Sequence, residues 1–149
     1  MDLERAIEIA VCAHKGATDK GGNAYILHPL RVMASLETDE EKIVGVLHDV
    51  VEDADEWDFH RLKSEGFSDR ILDGLRSVTK TSDNEDYDEF VQRAFANSIG
   101  RAVKIADICD NLDVTRIGKL TVQDINRLNK YKKALKVLTD DEWKRVYSW

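Results

Sequence analysis

Apolar residues recur at intervals of three and four along nearly the whole chain, and the glycines and polar clusters fall between these periodic stretches, a pattern that predicts helices and no sheet. Leu3, Ile7, Ala10, Val11 and His14 form the first stretch, which stops at Gly16. A polar loop rich in glycine follows over 16–24. A second helix is predicted over 25–36, with Pro29 in its opening turn, where the missing amide hydrogen leaves no bond unmade. Thr38 and Glu41 have the spacing of a capping box and open a helix carrying Ile43, Val44, Val46, Leu47, Val50 and Val51. That helix is apolar on most of its circumference and is expected at the centre of the fold. Shorter helices are predicted over 58–65 and 68–78, an acidic loop over 80–89 and a helix over 87–96. A long apolar helix over 98–116 is interrupted early by Gly100. Thr121 and Thr139 are each expected to start a further helix, the latter through a box with Glu142. The predicted architecture is all-α: about seven to nine helices in a single compact domain over residues 1–149.

Composition supports a packed core and removes several function classes. Of 149 residues 42% are apolar, and one proline and eight glycines are too few for a disordered or collagen-like chain. The 22 basic and 29 acidic residues give a net charge of −7, a field that repels nucleic-acid polymers and anionic membranes, so neither is expected as a partner. Cys12 and Cys109 lie far apart with no Cys/His cluster, which argues against a disulfide framework or structural zinc. Without a basic-then-apolar leader or a long apolar run, the expected compartment is the cytosol, with reduced thiols. A homo-oligomer is left open.

Two apolar helices carry conspicuous polar insertions. In LHDVVED, residues 47–53, Glu52 lies four after His48 and Asp53 four after Asp49, so on a helix each carboxylate sits one turn from a possible ligand. In IADICDN, residues 105–111, Asp107 interrupts an apolar run and Asn111 follows one turn on. A buried aspartate needs a cationic partner. Lys104 or Arg101 would serve structurally; a divalent metal would serve chemically, and imidazole with carboxylate suits Mn, Fe, Zn or Ni better than Ca or Mg. His28, in YILHP, is the candidate for a further ligand. His14 is expected to face the core or the site loop, and Cys109 to pack against neighbours.

The ordered set His28, His48-Asp49 and Asp107 resembles the H…HD…D signature of the HD-domain phosphohydrolases. More closely, AHKG (13–16), DKGGNAYILHPLRV (19–32), VLHDVVEDAD (46–55), SVTK (77–80) and KIADICDNL (104–112) are similar, in order, to the hydrolase domain of RelA/SpoT enzymes and to free-standing small alarmone hydrolases. The resemblance implies a helical HD-domain around a central metal site. His28, His48, Asp49 and Asp107 would hold one divalent ion, manganese in the family as usually described, while Glu52 and Asp53 would position and deprotonate the attacking water. It further implies hydrolysis of the 3′-pyrophosphate of guanosine tetra- or pentaphosphate, with Lys20, Asn111, Arg127 and Tyr131 contacting the nucleotide. The synthetase and regulatory regions of the long enzymes have no room in this length. Asp19 stands where the family usually has an arginine that stacks on guanine, and a carboxylate offers no such surface. That departure keeps open a nucleoside monophosphate or NADP(H) as substrate, or a non-catalytic nucleotide sensor.

Overall fold

The computed structural model describes the backbone of residues 1–147 and side chains through Thr139. Among the described residues the regular elements are α1 (Leu3–Ala13), α2 (Leu27–Ala34), α3 (Asp39–Leu47), α4 (Val50–Asp53), α5 (Phe59–Ser64), α6 (Asp69–Ser77), α7 (Tyr87–Phe95), α8 (Ser98–Leu112), a 3₁₀ turn (Val114–Arg116) and α9 (Val122–Tyr147). The expected all-α class holds, with one isolated bridge, Thr18 to Ala24, inside the first loop. No described helix is long and apolar enough to cross a membrane.

Helix starts follow local chemistry. Asp2, Thr38, Asp58, Ser68, Asp86 and Asn97 each accept an N–H from the first turn of the helix that follows, satisfying a donor with no partner inside the helix. The box at Thr38 is complete: Glu41 N–H donates to Thr38 Oγ1, and Glu41 Oε2 accepts from Thr38 N–H. Gly16, at φ +83°, follows α1 in a backbone conformation that side chains with a Cβ avoid.

Four expectations are corrected. The helix predicted to run unbroken through His48 and Asp49 divides there into α3 and α4. Gly100 does not interrupt α8; it lies in the first turn, pressed against α6. Thr139 does not open a helix: it lies within α9, and its hydroxyl donates to Leu135 O one turn back at 2.7 Å. The side chains of Glu142, Trp143 and Trp149 lie outside the described residues. Cys109, expected to pack, is exposed, as is Cys12.

Ile43, Val44, Gly45, Val46 and Leu47 of α3 are all buried, so every face of this helix meets protein. α3 packs on α1, α2, α6 and α8, and α8 in turn on α2, α7 and α9. The junction of α2, the α3–α4 break and α8 is therefore the best-supported place in the fold. Gly100 sets how closely α8 approaches α6. A Cβ there would stand 1.8 Å from Ser77 Oγ, which already donates to Gly74 O at 2.6 Å. Gly100→Ala is expected to destabilise the protein by about 1–3 kcal/mol through overpacking, while Gly118→Ala, with nothing within 4 Å of the added carbon, leaves the thermal midpoint within error.

Candidate metal centre

Four side chains from three elements converge at that junction. His28 comes from the first turn of α2, His48 and Asp49 from the α3–α4 break, and Asp107 from the middle of α8. His28 Nε2 lies 3.1 Å from Asp107 Oδ1 and 3.9 Å from Asp49 Oδ2. His48 Nε2 lies 3.0 Å from Asp49 Oδ2 and 3.5 Å from Asp107 Oδ1. One ligand atom each from His28, His48 and Asp49 fall within 4.8 Å of one another. The break in the central helix is what turns consecutive residues, His48 and Asp49, to the same point.

The donor set fits a cation. His48 Nδ1 lies 2.7 Å from Gly45 O, and a carbonyl only accepts, so Nδ1 carries the proton. Nε2 is then left buried among carboxylates without a hydrogen-bond partner. Burial opposes the charged form of both imidazoles, yet Asp49 and Asp107 beside His48, and Asp107 and Asp110 beside His28, outweigh it and raise both pKa values. Against burial, the His48 charge with the Tyr25 hydroxyl holds Asp49 below the ordinary carboxylate range, and Lys104 with the two imidazoles does the same for Asp107. Whatever holds a proton between these groups also favours a metal in its place.

Asp107 has two roles. Oδ2 accepts from the buried Lys104 at 3.1 Å, the structural partner the sequence offered, and Oδ1 faces the histidines and accepts from Asn111 Nδ2 at 2.9 Å. Glu52 and Asp53 part company. Glu52 lines the cavity, and its Oε1 accepts the Lys80 backbone N–H at 2.6 Å. Asp53 is absent from the cavity wall; its Oδ2 lies 4.0 Å from Nδ1 of the buried His14, and burial with Asp49 and Glu52 nearby pushes its pKa up to about 6.

A cavity of about 430 Å³ opens over the cluster. Lys20, Asn111, Arg127 and Tyr131 all line it. Lys20 and Arg127 also reach the buried Asp124, at 3.6 and 3.0 Å. Asp19 lies on the rim with Oδ1 committed to the N–H groups of Gly21 and Asn23, both at 2.9 Å. Seven lysines and arginines line the wall against six aspartates and glutamates, an excess of one positive charge in a chain carrying −7.

No family model matches the chain. It is 30% identical over 122 residues, 74% of its length, to a guanosine-3′,5′-bis(diphosphate) 3′-pyrophosphohydrolase of Aquifex aeolicus. It is also 30% identical over 134 residues, 82% of its length, to a GTP pyrophosphokinase of Streptomyces coelicolor. A putative chloroplastic GTP diphosphokinase of Arabidopsis thaliana is 36% identical over 84 residues, 52% of the chain. The chain is related to the RelA/SpoT enzymes. It spans 17%, 16% and 10% of the length of these three relatives.

This RelA/SpoT relative places further residues at the site that the sequence did not single out. Tyr25 donates its hydroxyl to Asp49 Oδ2 at 2.5 Å, and its ring packs against His14 at a tilt of 53° with ring centres 5.0 Å apart. Asp110 takes His28 Nδ1 at 2.6 Å, and it is held below the ordinary range by Arg31 and His28 despite partial burial. Lys80 and Lys130 line the cavity without a carboxylate partner among the described residues. Lys130 Nζ sits 4.4 Å over the Tyr87 ring, and burial together with Lys80, Lys104 and Arg127 lowers its pKa. One signal was available in sequence: Asp110 and Arg31 lie three residues after Asp107 and His28, one helical turn away.

Proposed function

We propose that the chain is a metal-dependent phosphohydrolase that removes pyrophosphate from the 3′ position of guanosine 3′,5′-bis(diphosphate), with manganese as its ion. The buried, unpartnered His48 Nε2, facing Asp49, Asp107 and His28, carries this reading. His28, His48, Asp49 and Asp107 are the ligands. A bound divalent ion lowers the pKa of water toward neutrality and polarises the phosphoryl group under attack.

The chain's own groups do the rest. Glu52, with one oxygen fixed by the Lys80 amide, keeps the other for the proton of the attacking water. The water oxygen bonds to phosphorus, the bond from phosphorus to the ribose 3′ oxygen breaks, and that oxygen takes up a proton as pyrophosphate departs. Asp53 supports Glu52 from outside the cavity wall. Asn111 donates one amide N–H to Asp107 Oδ1 and offers its carbonyl oxygen to a ribose hydroxyl. Lys20 and Arg127 face the phosphates, as do Lys80 and Lys130, while Tyr131 gives a flat wall beside Tyr87. Convergent like charges are unfavourable until an anion joins them, so the cationic wall favours a multiply phosphorylated ligand.

Asp19 favours a second reading. Its carboxylate is bound into its own turn and presents no cation to stack on guanine, which suits a nucleoside monophosphate or NADP(H) as substrate instead. The test is turnover of these compounds side by side with guanosine 3′,5′-bis(diphosphate) under manganese. Fastest pyrophosphate release from the guanosine compound is expected; faster phosphate release from either of the others overturns the substrate assignment, and binding without turnover of any overturns the enzymatic reading.

A further inference from the structure

We infer that Asp110 is a positioning residue: clamped between Arg31 and Arg116, it holds the His28 imidazole in the tautomer that turns a bare Nε2 toward Asp107 and Asp49. This rests on the reading that His28 ligates a metal.

The contacts form one continuous chain. Asp110 Oδ2 meets His28 Nδ1 at 2.6 Å. Arg31 donates from Nε to Oδ1 at 2.8 Å and from its terminal nitrogen to Oδ2 at 3.1 Å, a two-point grip that fixes the plane of the carboxylate. Arg116 approaches from the other side, donating to Asp110 O at 2.8 Å and to Oδ2 at 3.4 Å, and is itself held by Asp113 Oδ2 at 3.0 Å. Flanked by two guanidiniums, Asp110 is an acceptor only, so the shared proton belongs to Nδ1 of His28 and the lone pair to Nε2. His28 and Arg31 lie one turn apart on α2, so that helix presents the ligand and the holder of its partner together. A carboxylate behind a ligating imidazole also raises its basicity, and removing such a partner typically weakens metal binding about 10–100-fold.

The arrangement has a further consequence. Arg31 and Arg116 both line the cavity, so the groups that hold Asp110 are within reach of an anionic ligand. His48 has no equivalent, because its Nδ1 is held by the Gly45 carbonyl inside its own helix. The two imidazoles of the cluster therefore differ in kind: one is oriented by fixed backbone, the other by side chains that share a wall with the substrate.

The test uses the full chain and two variants, Asp110→Ala and Asp110→Asn, read by Mn²⁺ titration calorimetry and by imidazole ¹H–¹⁵N spectra of the metal-free protein at a pH where His28 is neutral. Asp110→Ala is expected to bind Mn²⁺ about 10–100-fold more weakly and to lose the single Nδ1–H tautomer. Asp110→Asn falls between it and wild type, because the amide oxygen still accepts from Nδ1 while its NH₂ opposes Arg31. Unchanged affinity and an unchanged tautomer in Asp110→Ala, even with a lowered melting temperature, reduce Asp110 to a tie between α2 and α8 and overturn the inference. Wild-type protein that binds no Mn²⁺ sinks the phosphohydrolase reading instead, and the tautomer spectra still decide the role of Asp110.

Discussion

Asp107→Asn is expected to abolish divalent-metal binding and to lower hydrolysis by about 10³-fold or more, since the metal's polarising role is worth several kcal/mol and each ~1.36 kcal/mol is tenfold in rate. The position is decisive because Oδ1 lies within 3.5 Å of both histidines, at 3.1 Å from His28 Nε2 and 3.5 Å from His48 Nε2, whereas Asp49 Oδ2 stands 3.9 Å from His28 Nε2. Asparagine keeps the shape and the bond to Asn111 but removes the charge. It also leaves the buried Lys104 without its carboxylate, so a fall in melting temperature accompanies the change. His28→Gln separates the two effects: it removes a ligand and keeps the Lys104–Asp107 pair, and it is expected to lose metal binding with a smaller stability cost. Calorimetric Mn²⁺ titration of both variants, with turnover measured at saturating metal, checks this; wild-type affinity in either variant removes that residue from the ligand set.

The second large effect is expected at Glu52. Glu52→Gln should lower kcat by about 10²–10⁴-fold, the range for loss of a general base, while Mn²⁺ affinity and KM stay near wild type. Asp53→Asn should cost far less, because Asp53 sits beside His14 rather than in the cavity wall. The comparison is informative because both carboxyls have pKa values raised first by burial and then by their acidic neighbours, so titration alone does not distinguish them. Position does. An Asp53→Asn loss equal to that of Glu52→Gln would move the proton acceptor to Asp53 and require the α4 turn to rotate in the bound state.

Legibility in the sequence follows the range of the interactions. Helix starts at Thr38, Asp58, Ser68 and Thr121 were readable because a cap is made within three residues of itself. The same signature at Thr139 misled because a threonine hydroxyl can equally bond back to the carbonyl four residues earlier and stay inside a helix. The break at His48-Asp49 was hidden by apolar residues on both sides of it, Val46-Leu47 and Val50-Val51, and on an unbroken helix Glu52 and Asp53 each lie one turn from a ligand, which is why they were expected to act alike. His28, His48, Asp49 and Asp107 were legible only as an ordered set. Their convergence depends on how α2, α3 and α8 pack. Tyr25 escaped notice because its partner Asp49 is 24 residues away, and Asp110, although one turn after Asp107, because its link to His28 spans 82 residues.

The most direct measurement is pyrophosphate release from guanosine 3′,5′-bis(diphosphate) by the full chain before chelation, after metal is stripped, and after Mn²⁺ is restored. Turnover that disappears on stripping and returns with Mn²⁺ is the expected result. Turnover that persists in excess chelator, or none at any metal concentration, contradicts it.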